Sequence, residues 1–557
     1  MPETILPGVT IEVRAEGLIV PLGVTVGNLG VVGTASKGPV GEPVPLGSFG
    51  EAQAKFGKSD PWVDGKSGEL TLVRALELAF GHGATTAYAV RVAGASVKEA
   101  RYMVLSAGGD CVLLKAESPG TWGNELSINV TDADDNAFIE NEPHNGGAAI
   151  SLLQGDVVKS ARNRVSLFTG LTGITRPLQI RYDGDPGATA SGQVEINRTS
   201  KLLTFFPGEE PASGDKVTVS YVVAKANAVK VRLRLGNAEE VYTVVSGTDL
   251  AADINENSAW VSAEPKANKG QPPKKSASGD LFAAFGTNQK GDDGAAGADY
   301  QTGLDELLDQ PAHIIVAAGQ DDSFGNKLDA HCQLASSDTL KRDRIAVVGS
   351  KLKATLSDLQ GHHLNSDRVI FVAPGILATD RAAVPPAGVT LPGAYTAAAV
   401  AGLLASLEPH FSLTNKVLPV DGLETRFTLP ELRQLVQARV VALEEREGFR
   451  VVKGITTATD TAFAQITTRR IVDFAKFGVR SAANPFIGKL NNPRVRDALH
   501  ASIASFLTDM IHSEMLQKYE LSVSATRAQE IRGIVEVTIV LQPTFSIDFI
   551  QVTIFLE

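Results

Sequence analysis

The chain has 557 residues, 43% hydrophobic and 21% charged, with a net charge of -11, 53 glycines and two cysteines. That balance fills several globular cores and sets an expectation of three or four domains; it lacks the basic face of a nucleic-acid binder, the cysteines of a disulfide framework and any apolar run of the roughly 18 residues that a membrane span needs. The first ten residues hold no basic or apolar leader region, so a soluble, unexported chain is expected, and Cys111 and Cys332, which allow one bridge at most, read as reduced thiols.

The opening run Val9-Thr10-Ile11-Glu12-Val13-Arg14 alternates at the strand period between Pro7-Gly8 and Pro21. No hairpin partner stands beside it, so it needs a sheet edge elsewhere. A strand over 30–34 and a turn over 37–43 follow. Ser48 caps a short helix over 49–56. Leu72, Leu76, Ala79 and Phe80 share one face of a helix over 70–80, and 86–92 reads as a buried strand. From about Cys111 the pattern is all-β, with 145–235 read as a small inserted β-sandwich. Residues 266–297 are rich in Gly, Pro, Lys and Ser and read as a loop or linker.

The period then changes. Short buried strands over 313–318, 344–348 and 368–373 alternate with helical segments over 304–308 and 328–340, which predicts an α/β layer with parallel pairing. A small-residue helix over 395–406 suits close packing. Near the end, Val495, Leu499, Ile503, Phe506, Leu507, Met510 and Ile511 mark a long amphipathic helix with Pro493 in its first turn. Two strands are predicted after it, 533–541 and 545–557. The division expected is an arm over 1–22, a β-α-β core segment over 23–110, a β-rich region over 111–275 containing the insertion, an α/β domain over 276–453 and a C-terminal core over 454–557.

Catalytic motifs fail on inspection. Gly23, Gly27, Gly30 and Gly33 lack dinucleotide-loop spacing, and Gly65-Lys66-Ser67 has Asp60 where a phosphate loop needs glycine. The acidic run 132–136 has Ala137 and Pro143 at the positions where a calcium loop needs Gly and Glu. Residues 393–402 resemble the nucleophile helix of subtilisin-like proteases, but the serine falls at Tyr395 or Ala394. His82-Gly83 lacks an Asp-containing partner motif, and His362-His363 reads as part of a polar loop. No catalytic residue, metal or cofactor is expected.

Several stretches in order resemble contractile phage tail sheath proteins. Residues 6–13 are similar to the family's N-terminal arm, 31–43 to its first core strand and turn, and 49–57, ending Phe56-Gly57, to its short helix. Gly120-Thr121-Trp122-Gly123-Asn124 is similar to its Gly-x-Trp-Gly-Asn segment. Leu413-Thr414-Asn415-Lys416, Gly454-Ile455-Thr456-Thr457, Arg469-Arg470-Ile471-Val472-Asp473 and Phe486-Ile487-Gly488-Lys489 look like its later landmarks. Residues 145–235 depart from the family pattern and look like added decoration.

The resemblance implies a multidomain α/β sheath core of subtilisin-like topology without a triad, with extended strand arms at both ends. It implies a virion tail component assembled in the host cytoplasm, a non-enzyme that stacks as hexameric rings in a helical sheath around an inner tube and contracts without nucleotide. Its implied partners are further copies of itself, the tube protein, and baseplate and tail terminator proteins, with no nucleic acid and no membrane insertion. It makes Val9, Ile11 and Val13, and Val552, Ile554 and Leu556, the strands lent to neighbours, and makes Arg494 and Arg496 candidates to face the tube. A sheath of a tailocin or another injection device fits the same residues.

Overall fold

The structure is a computed structural model that describes residues 27–64, 68–147, 149–187, 189–276, 279–282 and 288–555. The expected arm over 1–22 lies outside these residues. Its largest layer is an eight-stranded sheet. In spatial order its strands are Pro43–Leu46, Ala87–Arg91, Leu29–Gly33, Ile314–Ala317, Ile345–Gly349, Val369–Ala373, Val441–Glu445 and Phe449–Val451. The middle six run parallel, and the two edges are antiparallel.

Leu29–Gly33, Ile345–Gly349 and Val369–Ala373 are buried at every position. An uninterrupted apolar run is what a strand covered on both faces requires. Helices Leu72–Gly81 and Gly393–Ala405 cover one face. Tyr300–Glu306, Gly325–Ala335 and Leu429–Gln437 cover the other. Gly393–Ala405 packs tightly because its residues are small: a Cβ on Gly402 would lie 2.2 Å from the Ala79 carbonyl oxygen.

Segment 23–110 is therefore not a separate β-α-β unit. Leu29 pairs in register with Ile314, so its strands complete the sheet of the later α/β segment. Arg101–Ser106 instead belongs to the β-rich region, beside Gly109–Ala116, which Val261–Pro265 flanks on its other edge. A four-stranded sheet of Ala238–Val244, Val229–Leu235, Leu126–Asp132 and Asp280–Leu281 shares that core with helix Gly247–Asn257.

The insertion has its own core and its own eight-stranded, mostly antiparallel sheet, from Ala137–Asn145 through Lys216–Val223. Its limits differ from 145–235. Val229–Leu235 pairs along its whole length with Leu126–Asp132 of the host sheet. Residues 266–297 are tied down where described rather than left as a free linker. Lys98 N donates to Asp292 O at 3.0 Å, and Asn124 Nδ2 to Gly291 O at 2.9 Å.

Candidate functional site

The C-terminal module is built from two helices and a hairpin. Helix Pro493–His512 starts where Asn492 Oδ1 accepts from Val495 N at 3.0 Å. It buries Leu499, Ile503, Phe506, Leu507 and Met510 against helix Ile466–Ala483. The helices cross at Gly478, where a Cβ would lie 1.9 Å from the Phe506 ring. Strands Leu516–Ser524 and Glu536–Pro543 then pair antiparallel, with Tyr519, Leu521, Val523, Val537, Ile539 and Leu541 packed on the helices.

Among the described residues each hairpin strand pairs only with the other. Both outer edges present unpaired backbone N–H and C=O groups, which is a template for another strand. One of the two hairpin strands answers to the sequence: Glu536–Pro543 falls on the strand expected over 533–541. Leu516–Ser524 was unanticipated, and 544–555 forms no strand. Residues 545–555 alternate at the strand period but pair with no strand among the described residues.

That terminal segment is unusually apolar for exposed chain. Phe545, Ile547, Phe549, Ile550, Val552, Ile554 and Phe555 are 57 to 85% exposed. Val552 and Ile554 are part of no strand pairing among the described residues; Leu556, like Val9, Ile11 and Val13, lies outside those residues. Arg494 is exposed. Arg496 is committed to its own subunit: Nη1 donates to Glu530 Oε1 at 2.9 Å and to Asn491 Oδ1 at 2.8 Å. That ion pair removes Arg496 as a free cation for a tube.

A charged joint fastens this module to the α/β layers. Asp473 accepts from Arg368 at 2.9 and 3.1 Å and from Arg469 at 2.7 Å. Arg469 also reaches Asp367 at 2.8 Å. Asp343 takes Arg480 at 2.6 Å and also Lys476, with Arg368 at 3.5 Å. Burial opposes the charge on Arg368, but Asp473, Asp343 and Asp367 outweigh it and hold the guanidinium above its usual range. Arg470 is buried on carbonyls alone, Leu407 O at 2.7 Å and Glu408 O at 3.2 Å, and burial pushes it down to about 10. The i, i+4 spacing of Arg469 and Asp473 was the sequence signal for this joint; their distant partners had none.

The positions that echo an enzyme are structural. Tyr395 is fully buried, its hydroxyl donates to Glu69, and Trp62 packs edge-on at 5.8 Å. His82 has its ring nitrogens 2.7 Å from Leu78 O and 3.0 Å from Pro419 O. His362 is buried between Ala438 O, at 2.6 Å from Nε2, and Leu364 N, which donates to Nδ1 at 3.2 Å; burial pushes its pKa down. Nδ1 accepting fixes the neutral Nε2–H tautomer, a loop tie rather than a base. Residues 65–67 lie outside the described residues. Among the described residues no group of three or more His, Cys, Asp or Glu could hold a metal, and no helix is long and apolar enough to cross a membrane. Cys111 and Cys332 are both free and buried.

Residues 293–457 match the phage tail sheath protein central domain, and 458–557 match the phage tail sheath C-terminal domain. Among solved structures, a sheath tail protein from Desulfitobacterium hafniense is similar over 96% of this chain and 100% of its own, at TM-score 0.59 and 15% identity. One from Listeria innocua is similar over 94% of each chain, at TM-score 0.56 and 14% identity. At these identities the likeness is one of fold. No curated protein sequence matches the chain. Residues 293–557 thus carry the central and C-terminal domains of phage tail sheath proteins.

Proposed function

We propose that this sheath chain is the structural subunit of a contractile tail, stacking as hexameric rings around an inner tube and contracting to drive the tube through a cell envelope without nucleotide hydrolysis. One observation carries the reading: a hairpin with two unpaired edges is followed by an exposed apolar segment with strand alternation. Each copy offers an acceptor and a donor that it does not use itself. Strand addition joins them by backbone hydrogen bonds, with side chains setting register. Val552, Ile554 and Leu556 are one donor, and Val9, Ile11 and Val13 the other. A hairpin with two edges has room for both.

Such a mesh binds neighbours through flexible chain while each subunit body stays rigid, so rings can rotate past one another without losing contact. Arg494 remains the candidate cation for the tube; Arg496 does not. The subtilisin-like lineage is supported by helix Gly393–Ala405, with Tyr395 in place of a nucleophile. The domain division keeps the arms and the C-terminal module and merges the described residues of 27–92 with the α/β layers. Baseplate and terminator proteins are the expected partners at the two ends.

Electron microscopy of the concentrated chain tests the reading. Long hollow cylinders are expected, and deletion of residues 1–20 or of 545–557 should abolish them. A chain that stays discrete at every concentration, or cylinders that survive both deletions, would overturn it.

A further inference from the structure

The terminal segment is not uniformly free. Asp548 is nearly buried beside exposed neighbours: Lys453 Nζ lies 3.2 Å from Oδ2, Gln465 Nε2 donates to the same oxygen at 3.5 Å, and Ser546 Oγ reaches Oδ1 at 3.3 Å. The Lys453 ammonium also sits 5.4 Å over the Phe549 ring. Asp548 and Phe549 line a groove together with Leu432, Val436 and Val452. From Ile550 on, every described side chain is exposed. The ion pair therefore divides the segment into a seated root and a free end.

We propose that the Lys453–Asp548 pair is an anchor that fixes where the donated strand leaves the subunit. This rests on strand donation as proposed above and adds the residue that directs it. Lys453 is on the chain just after edge strand Phe449–Val451, so the anchor ties the donor to the rigid α/β body rather than to the hairpin that precedes it. Ile554 is six residues beyond Asp548 and eleven beyond Pro543. Extended chain therefore carries it at most roughly 20 Å from the anchor, against about 37 Å from Pro543 without it. The tether between the last fixed residue and Ile550 shrinks from six residues to one. With effective concentration falling as about the three-halves power of tether length, the anchor raises it roughly tenfold.

The test uses the full chain. Asp548→Asn and Lys453→Ala should each raise the critical concentration for cylinder formation roughly tenfold, by that same tether scaling. The charge-swapped pair, Lys453→Asp with Asp548→Lys, should bring it back towards the parent value. In the unassembled subunit, nitroxide labels on Ile547→Cys and Val552→Cys should show restricted and free motion respectively, and adding Asp548→Asn should free position 547 alone. An unchanged critical concentration in Asp548→Asn, or equal mobility at the two labels, overturns the anchor. If deletion of 550–557 leaves assembly intact, strand donation itself fails and the anchor falls with it; if that deletion abolishes assembly while Asp548→Asn does not alter it, only the anchor fails.

Discussion

Replacing Val552 and Ile554 together by glutamate should disable assembly while leaving the subunit intact. In the lone chain these side chains are 75% and 78% exposed, so nearly all their apolar area is still available to bury in a partner. Full burial of such a side chain is worth about 1.5–3 kcal/mol. Two on the same face of one donated strand therefore contribute roughly 3–5 kcal/mol before ordering costs are taken off. At 1.4 kcal/mol per tenfold, the strand contact weakens by about 100- to 4,000-fold, and more where a carboxylate must be desolvated. Light scattering against concentration reads the loss directly. The thermal melt of the unassembled subunit should not move, because neither side chain supports its own fold. A double variant that forms cylinders at the parent concentration would refute the reasoning; so would one whose lone subunit melts early.

Other consequences follow from the interior. Asp473→Ala takes the nearest carboxylate from the buried guanidinium of Arg368, leaving it Asp343 at 3.5 Å and the Arg344 carbonyl, and should cost about 1–3 kcal/mol in urea denaturation, short of the roughly 3–5 kcal/mol for a buried charge left with no partner. Gly478→Ala drives a methyl into the Phe506 ring and should cost about 1–3 kcal/mol; adding Phe506→Leu should recover part of it. Burial pushes the Asp249 carboxyl up to about 7, so the folded form holds a proton that the unfolded chain releases near pH 4. Its contribution is present below pH 4 and lost as pH rises towards 7, a few kcal/mol in all, and Asp249→Asn should flatten that part of the pH–stability curve.

The α/β layers were legible because doubly covered strands leave runs such as Val369–Ala373 with no polar interruption. Helix Pro493–His512 was legible from its 3.6 period and its capping Asn492. Partnership was not. Nothing local in Leu29–Gly33 says that it lies beside Ile314–Ala317, so one layer was read as two domains. Leu516–Ser524 carries the strand alternation, with Tyr519, Leu521 and Val523 set against Lys518, Glu520 and Ser522, so its signal stood in the sequence unread. The terminal alternation was legible, but its meaning depends on a strand pairing that the described residues do not contain. The seat of Asp548 could not be found at all, since Lys453 and Asp548 are distant in sequence and each reads as an ordinary surface charge.

The host sheet closes underneath the insertion. Asp132, where the chain departs, is the register partner of Val229, where it returns, and antiparallel neighbours lie about 5 Å apart. Whatever is threaded between them must leave and return at two adjacent positions already fixed by the pairing of their own strands, while host residue Val245 also packs into the core of the present insertion. The excursion can be lengthened, shortened or exchanged for a foreign domain with close termini without shifting one hydrogen bond of the socket. The inserted domain can thus diversify independently of the sheet that holds its two ends.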